Sequence, residues 1–264
     1  MQPPKPFTFG TRLAGKRAVV TGMGGGIGQA CALLFAMQGA QVVGGDSSTP
    51  AAAAALKAAA NSRVRVHSLH PHNLLEPGGA RQLVSFAREV MGGIDIVVNA
   101  AAFAAFAWLP EMDYETQWRF TLQGELDIVF LLTQAVWPEL IRAGGGAVIN
   151  FASANAAMAL PGSPALAHCA GKAGVLGMTR QLAMEGAPHG IRVNAISPAL
   201  IETPATRAHM ARDPDFVAQA LAKAMLKRIG QPEDIAWAAL YLASDEAAWV
   251  TAANLPVDAG ATAW

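Results

Sequence analysis

A serine, a histidine and a lysine in the second half of the chain have side chains that suit a proton-transfer site. Ser153 directly follows an apolar run over residues 147–152 that is typical of a buried strand. His168 and Lys172 are four residues apart and therefore share one face of a predicted helix. A neutral imidazole, with a reference pKa of about 6.5, is a competent general base near neutral pH. We expect the neighbouring ammonium to disfavour the imidazolium, so these residues predict a group that takes a proton from a hydroxyl.

A glycine-rich turn lies between the first apolar run of the chain, over 17–21, and a helical pattern. Glycines allow the backbone to approach a pyrophosphate, and the first turn of a helix offers unpaired N–H groups to an anion. A tight turn without a ligand is the alternative, but the order of strand, turn and helix favours a phosphate site. The predicted contacts in this turn are Gly22, Gly26, Ile27 and Gly28.

Asp46 ends the second predicted strand and follows Gly28 at close to the spacing of about 20 residues expected for a carboxylate that binds a ribose diol. The next residues are Ser47 and Ser48, with no arginine among them. Because a carboxylate accepts hydrogen bonds from a ribose 2′-hydroxyl and repels a 2′-phosphate, Asp46 favours NAD over NADP. The alternative is that Asp46 only caps the helix after Pro50.

These residues need strands and helices to bring them together, and the hydrophobic pattern alternates between the two. Repeated strand–helix units build a parallel sheet with helices on both faces. We therefore predict that residues 1–264 form a single α/β domain with a doubly wound parallel sheet. The predicted strands cover residues 17–21, 41–46, 63–69, 94–99, 147–152, 191–196 and 254–258, and the main predicted helices cover 28–38, 76–91, 118–142, 166–186 and 232–244.

Composition excludes several classes of protein. The net charge of +0 and the pI near 7.0 give no basic patch for nucleic acid or an anionic membrane surface. The mean hydropathy of +0.30 raises the question of a membrane span, but the most apolar stretch, 97–109, is too short to cross a bilayer. The first ten residues lack the apolar core of a signal peptide. With only Cys31 and Cys169, we expect no disulfide framework and a cytoplasmic location.

The T-G-x-x-x-G-I-G form of the turn at 21–28 resembles the short-chain dehydrogenase/reductase family, and the segments 191–198, 228–236 and 257–258 are similar to later signatures of that family. The resemblance covers nearly the whole chain and implies a Rossmann-like fold that binds a nicotinamide cofactor. Ala102 and Ala199 stand where the family usually has glycine, so each adds a Cβ beside the expected cofactor. Further cofactor contacts implied by the resemblance are Asn73, Leu74, Asn99, Ala101, Lys172, Pro198, Ile201 and Thr203.

The resemblance also implies a catalytic set of Asn, Ser, Tyr and Lys, and this chain matches half of it. Ser153 and Lys172 match the family serine and lysine, whereas His168 stands in the tyrosine position and Glu125 where the asparagine is expected. Imidazole is shorter than phenol, so a substrate must lie deeper or a water must bridge the gap. Glu125 could pair with Lys172, orient His168 or pass protons onward. The stretch from Ser153 to His168 is about two residues longer than the resemblance implies, so we expect a bulge at 161–164.

The substrate side of the site is expected at the carboxyl ends of the strands. Residues 200–227, rich in Ala and Met, resemble the lid of the family, and the resemblance implies a homotetramer or a dimer. His67, His70 and His72 lack a carboxylate or cysteine to complete a metal site, and we predict no metal. The predicted lining of an apolar pocket for a small substrate is Phe103, Phe106, Trp108, Leu109, Met158 and Leu160.

Three functions stay open from the sequence. The first is an NAD-dependent oxidoreductase that interconverts a secondary alcohol and a ketone, with His168 as the acid–base group. The second is a lyase, isomerase or hydratase on the same scaffold, in which His168 and Glu125 move protons without net hydride transfer. The third is a protein that binds NAD but has lost catalysis.

Overall fold

Seven parallel strands form one sheet in the computed structural model, which describes residues 7–264; the expectation about the first ten residues falls largely outside that range. The strand order is β3-β2-β1-β4-β5-β6-β7, and every neighbouring pair is parallel. The predicted doubly wound α/β sheet is confirmed. The strands are β1 (Arg17–Thr21), β2 (Gln41–Gly45), β3 (Val66–Leu69), β4 (Ile96–Asn99), β5 (Gly146–Phe151), β6 (Ile191–Pro198) and β7 (Asn254–Val257).

Helices cover both faces of this sheet. The prediction over 166–186 matches the observed helix at both ends, and the predicted lid contains two short helices. Among residues 7–264, no helix combines the length and the apolar character needed to span a bilayer. The helices are α1 (Gly26–Met37), α2 (Thr49–Asn61), α3 (Gly79–Met91), α4 (Phe120–Leu122), α5 (Ile128–Arg142), α6 (Leu166–Gly186), α7 (Pro204–Arg212), α8 (Pro214–Lys223) and α9 (Pro232–Ala243).

Both faces of the sheet are buried. Successive strand residues point to opposite faces, and each face packs against helices. On β1, Val20 packs in one apolar layer with α1 and α9, whereas Val19 packs in the other with α3 and α5. Val97 and Val98 on β4 divide in the same way. This double burial explains why the central strands read as continuous apolar runs in the sequence.

The third strand shows where the sequence prediction was wrong at a boundary. We predicted it from residue 63, but Arg63 has a φ of 59° and the strand begins at Val66. A residue in the left-handed region cannot continue an extended strand. At the other boundary, β6 extends to Pro198 because Ser197 and Pro198 pair with Pro256 and Val257 on β7.

The helical stretch predicted over 118–142 begins earlier, at Tyr114, and includes two wide π-helical turns, Tyr114–Arg119 and Gln123–Asp127, before α5. Gly124 lies in the second turn, and a Cβ added to it would stand 2.1 Å from the carbonyl oxygen of Phe103. The absence of a side chain at position 124 therefore lets the loop after β4 lie directly on this turn. Such turns occur frequently at functional sites, and this one contains Glu125.

Candidate active site

A cavity of about 440 Å³ lies at the carboxyl ends of β1, β2 and β4. The strand order reverses here, because β1 has β2 on one side and β4 on the other, and ligands of doubly wound sheets bind at such a point. The Thr21 hydroxyl at the end of β1 accepts hydrogen bonds from the backbone N–H groups of Ala100 and Ala101, both at 3.1 Å. These bonds hold the loop after β4 against the glycine-rich turn.

Two glycines of the turn are required by close approaches of backbone. Gly22 has a φ of 67°, and a Cβ there would lie 2.9 Å from the Cα of Ala101. A Cβ on Gly28 would lie 2.2 Å from the carbonyl oxygen of Gly22. The turn is thus a glycine-rich cradle that has no room for a side chain at these two positions and leads into the first turn of α1, where a pyrophosphate could bind.

Asp46 holds this cradle in place at the end of β2. Its Oδ2 accepts a hydrogen bond from the Gly24 N–H and its Oδ1 accepts one from the Ser48 N–H, both at 2.8 Å. The residue that caps α2 is Ser48, whose hydroxyl accepts from the N–H of Ala51. The alternative that Asp46 is only a helix cap is therefore wrong, and its carboxylate lines the cavity beside Ser47.

Most of the predicted cofactor contacts line this cavity. It also takes in His72, Ala102, Phe103 and Ile128, of which only Ile128 gave no signal in the sequence; His72 was expected at a polar strand end near an adenine. Thr203 approaches the cradle, since a Cβ added to Gly26 would lie 3.1 Å from its methyl group. The predicted contacts in the lining are Gly22, Gly26, Ile27, Gly28, Asp46, Asn73, Leu74, Ala101 and Thr203.

Four predicted contacts lie outside the lining of this cavity: Asn99, Lys172, Pro198 and Ile201. Asn99 is 4% exposed, and its amide donates to the Oδ1 of Asn150 at 2.8 Å and to the hydroxyl of Thr133 at 3.2 Å. The amide thereby ties β4 to β5 and α5, and a contact between Asn99 and a cofactor stays a prediction. Ile201 lines a second cavity of about 380 Å³ together with Ala199.

The predicted catalytic side chains meet at the carboxyl end of β5. The Nδ1 of His168 lies 2.5 Å from the Oε1 of Glu125, and its Nε2 lies 3.3 Å from the Oγ of Ser153. An ionised carboxylate can only accept a hydrogen bond, so this contact assigns the proton of a neutral imidazole to Nδ1. The lone pair on Nε2 then faces the serine hydroxyl. The structure thus brings together three residues that are well separated in the sequence.

Glu125 is 2% exposed, and its Oε2 has no hydrogen-bond partner among residues 7–264. The room for this oxygen comes from α6, where a Cβ added to Gly171 would lie 2.6 Å from it. Sequence reasoning missed Gly171. A signal for it was present, because a glycine inside a helix costs about 1 kcal/mol relative to alanine and commonly has a packing reason.

Lys172 is buried behind the same cluster, and its Nζ donates to the carbonyl oxygen of Phe151 at 3.1 Å. Burial lowers the pKa of Lys172, and the nearby carboxylate of Glu125 opposes that shift. The charged group in hydrogen-bond contact with His168 is Glu125 and not the ammonium that the helical spacing suggested. Of the three roles open to Glu125, the geometry therefore supports the orientation of His168.

Aromatic side chains border the cluster on the side of the loop after β4. The Phe106 ring lies 5.8 Å from the His168 ring, and Phe103 packs on Phe120 with 4.6 Å between ring centroids. Trp108 and Leu109 are 55% and 70% exposed in this chain, and their place in the lining of a substrate pocket stays a prediction. At 161–164 the chain turns through Gly162 with a φ of 75° and touches Gln219 of α8.

The chain is similar to known reductases and dehydrogenases. A family model described as enoyl-(acyl carrier protein) reductase matches residues 22–262. The 3-oxoacyl-[acyl-carrier-protein] reductase FabG of Thermotoga maritima is 37% identical, over 94% of this chain and 98% of its own.

Two solved structures carry nicotinamide cofactors. A putative 2-deoxy-D-gluconate 3-dehydrogenase from Agrobacterium tumefaciens with bound NADP is 35% identical, with a TM-score of 0.85 over 96% of this chain and 98% of that one. A 7α-hydroxysteroid dehydrogenase in complex with NADH and a 7-oxo bile acid is 30% identical, with a TM-score of 0.88 over 95% of each chain.

Proposed function

The chain belongs to the short-chain dehydrogenase/reductase family, and on that premise we propose that it is an NAD-dependent oxidoreductase that interconverts a secondary alcohol and a ketone with His168 as the acid–base group. The members of this family named above are dehydrogenases and reductases, and hydride transfer is their common chemistry. The names of these three relatives each contain a ketone or a secondary alcohol, on an acyl chain, a sugar acid or a steroid. That shared group supports the reaction class and leaves the rest of the substrate open.

The observation that carries the proposal is the contact chain Ser153–His168–Glu125 beside the nucleotide cavity. In the direction of oxidation, the Nε2 of His168 accepts the proton of the substrate hydroxyl, while Ser153 holds the substrate oxygen by a hydrogen bond. The Nδ1–H donates to Glu125 throughout, so the carboxylate fixes the ring and stabilises the imidazolium that forms. Lys172 offsets part of the negative charge that Glu125 carries into the interior.

Imidazole is shorter than phenol, so the substrate oxygen must lie deeper in the site to reach His168. The Nε2 already lies 3.3 Å from the Ser153 hydroxyl, so a substrate oxygen near that hydroxyl is within reach of both groups. The Phe106 ring, which stands over His168, gives this position an apolar wall. We therefore propose a small substrate with apolar surface around its hydroxyl group.

The cofactor that we propose is NAD, which supplies the hydride acceptor. Two observations support a dinucleotide: the glycines of the turn line the cavity at the start of α1, and Asp46 lines it at the end of β2. A 2′-phosphate placed near Asp46 would meet a negative charge, whereas a 2′-hydroxyl would gain an acceptor. Residues 200–227, which contain α7 and α8, are the proposed lid over this single-domain enzyme, and a homotetramer or dimer in the cytoplasm is the proposed assembly.

The proposed function is tested by following NADH absorbance with a panel of secondary alcohols, and NADH consumption with the matching ketones. We expect turnover with NAD for at least one apolar secondary alcohol and none with the corresponding tertiary alcohol, which has no hydride to give. Calorimetry with NAD and NADP is the companion measurement. Turnover of no alcohol together with no heat from either nucleotide would contradict the proposal, whereas NAD binding without turnover would favour a protein that has lost catalysis.

Cofactor choice gives a sharper prediction at Asp46. We expect Asp46→Asn to weaken NAD binding by about 10- to 100-fold, because a hydrogen bond to a charged group contributes about 1.5–3 kcal/mol. Binding of NADP should weaken less or improve, since the repulsion of its 2′-phosphate is removed. Asparagine can accept only one of the two N–H groups that Asp46 accepts, so the free energy of unfolding is measured beside binding. Ser62→Ala, at the end of α2, is the matched control. Calorimetric titration of both nucleotides checks the result, and an unchanged NAD to NADP ratio would exclude the role of Asp46 in discrimination.

A further inference from the structure

The contact chain from Ser153 through His168 to Glu125 has the order of a nucleophile, a base and a carboxylate that orients the base. We propose that Ser153 also acts as a nucleophile toward small activated esters, so that the protein hydrolyses them through an acyl-serine without any nicotinamide. This activity goes beyond the proposed hydride transfer, and neither depends on the other. In this reaction the imidazole of His168 takes the proton of the Ser153 hydroxyl instead of the proton of a substrate hydroxyl.

The geometry meets the requirements for activating a serine. The 2.5 Å contact with Glu125 places a proton on Nδ1 and leaves the Nε2 lone pair directed at the Ser153 hydroxyl at 3.3 Å. Hydrogen-bond reach between nucleophile and base is about 2.6–3.2 Å, and it is often looser without a bound substrate. A buried carboxylate on the far side of the ring stabilises the imidazolium, which is the role of the acid in a serine triad.

The surroundings of Ser153 add a second contribution. The residue lies between the end of β5 and a short helical turn, Ala154–Ala156, and its Oγ accepts the N–H of Asn155 at 3.1 Å. Because Oγ accepts this N–H, its own hydroxyl proton is left to point toward the Nε2 of His168. The side chain of His168 is 19% exposed and Ser153 is half-buried, whereas Glu125 is closed off. A small ester can therefore reach the hydroxyl but not the carboxylate.

The reaction balances with water as the other substrate. The Oγ of Ser153 forms a bond to the ester carbonyl carbon while its proton moves to the Nε2 of His168. The bond from that carbon to the leaving oxygen then breaks, and His168 returns the proton to the alcohol or phenol that departs. Water adds to the acyl-serine with His168 again as base, and the acid leaves as Ser153 regains its proton. Nothing is oxidised or reduced.

The probe is p-nitrophenyl acetate, applied to the full chain in the absence of any nicotinamide. We expect release of p-nitrophenolate with an initial burst, and intact-protein mass spectrometry should show one acetyl group, which peptide mapping locates on Ser153. Ser153→Ala and His168→Phe should each lower the acylation rate by at least about 100-fold. Ser163→Ala, on the exposed loop that follows, should leave the rate unchanged and serves as the control for surface acylation.

Two further variants keep the test decisive. Ser153→Cys retains a nucleophile at the same place and should form an acetyl thioester, which separates the loss of a nucleophile from a loss of fold. Glu125→Gln should slow acylation and move its pH profile, because the amide cannot stabilise the imidazolium as the carboxylate does. Acetyl groups found only on lysines, or equal acylation of wild type and Ser153→Ala, would overturn the proposal. Because no nicotinamide is present, that result would leave the proposed hydride transfer untouched.

Discussion

Replacement of His168 by phenylalanine is expected to lower kcat for alcohol oxidation by about 10²- to 10⁴-fold, the usual contribution of a positioned acid–base group. The ring keeps its bulk beside Phe106 but loses both nitrogens, so the hydrogen bond from Nδ1 to Glu125 and the acceptor at Nε2 disappear together. NAD binding should change little, since His168 does not line the cavity at the ends of β1, β2 and β4 in which we propose that NAD binds. NADH absorbance measures the first effect and calorimetry the second.

His168→Tyr is the companion variant, because the resemblance implies that a phenol works at this position in relatives. If histidine is the native acid–base group, the tyrosine variant should be slower than wild type, since Glu125 is placed for a donor at Nδ1. A wild type without turnover whose His168→Tyr variant gains it would contradict our assignment and would show that the native histidine marks a lost activity. Full activity in His168→Phe would contradict the assignment as well.

The second large effect is expected at Gly28, where the chain has no room for a side chain. In Gly28→Ala the new Cβ would lie 2.2 Å from the carbonyl oxygen of Gly22 and 2.9 Å from that of Thr21, and neither backbone atom can rotate away. Overpacking of this kind costs about 1–3 kcal/mol and sometimes more, so the free energy of unfolding in urea should fall by at least that range. Because the cradle must open to relieve the contact, NAD binding should be lost as well.

Gly177→Ala is the matched control for this substitution. A Cβ at Gly177, within α6, meets no heavy atom of the described chain within 4 Å. Alanine is a better helix former than glycine, so the free energy of unfolding should stay the same or rise by up to about 1 kcal/mol. Equal losses of stability in the two variants would show that the cradle is not the source of the effect.

The sequence was sufficient for the parts of this protein that local patterns determine. All seven strands were predicted; the central ones stand out because they are buried on both faces, and the edge strands because turns bound them. The helix α6 was predicted to the residue. The turn at 21–28 and Asp46 were found because phosphate and ribose binding demand particular residue types at nearly constant spacing. Their placement around one cavity follows from the parallel sheet.

Other features of the site depend on contacts between distant segments of the chain, and no local pattern predicts them. Glu125 was assigned only by its approximate place in the preceding helix, and its hydrogen bond to His168 depends on a wide helical turn pressed against Phe103. The amide of Asn99 donates hydrogen bonds to Asn150 and Thr133. These partners could not be predicted, because they belong to other elements of the fold. The exposure of Trp108 was missed for the same reason, since apolar residues alone do not say what covers them.

Gly171 has no side chain, and this limits which substitutions the site tolerates. The carboxylate of Glu125 occupies the space that a methyl group at position 171 would need, and His168 holds that carboxylate on its other side. A side chain at position 171 would therefore compete with this carboxylate for space, so in Gly171→Ala we expect the acid to shift relative to the imidazole. The glycine on α6 is thus part of what lets Glu125 reach His168.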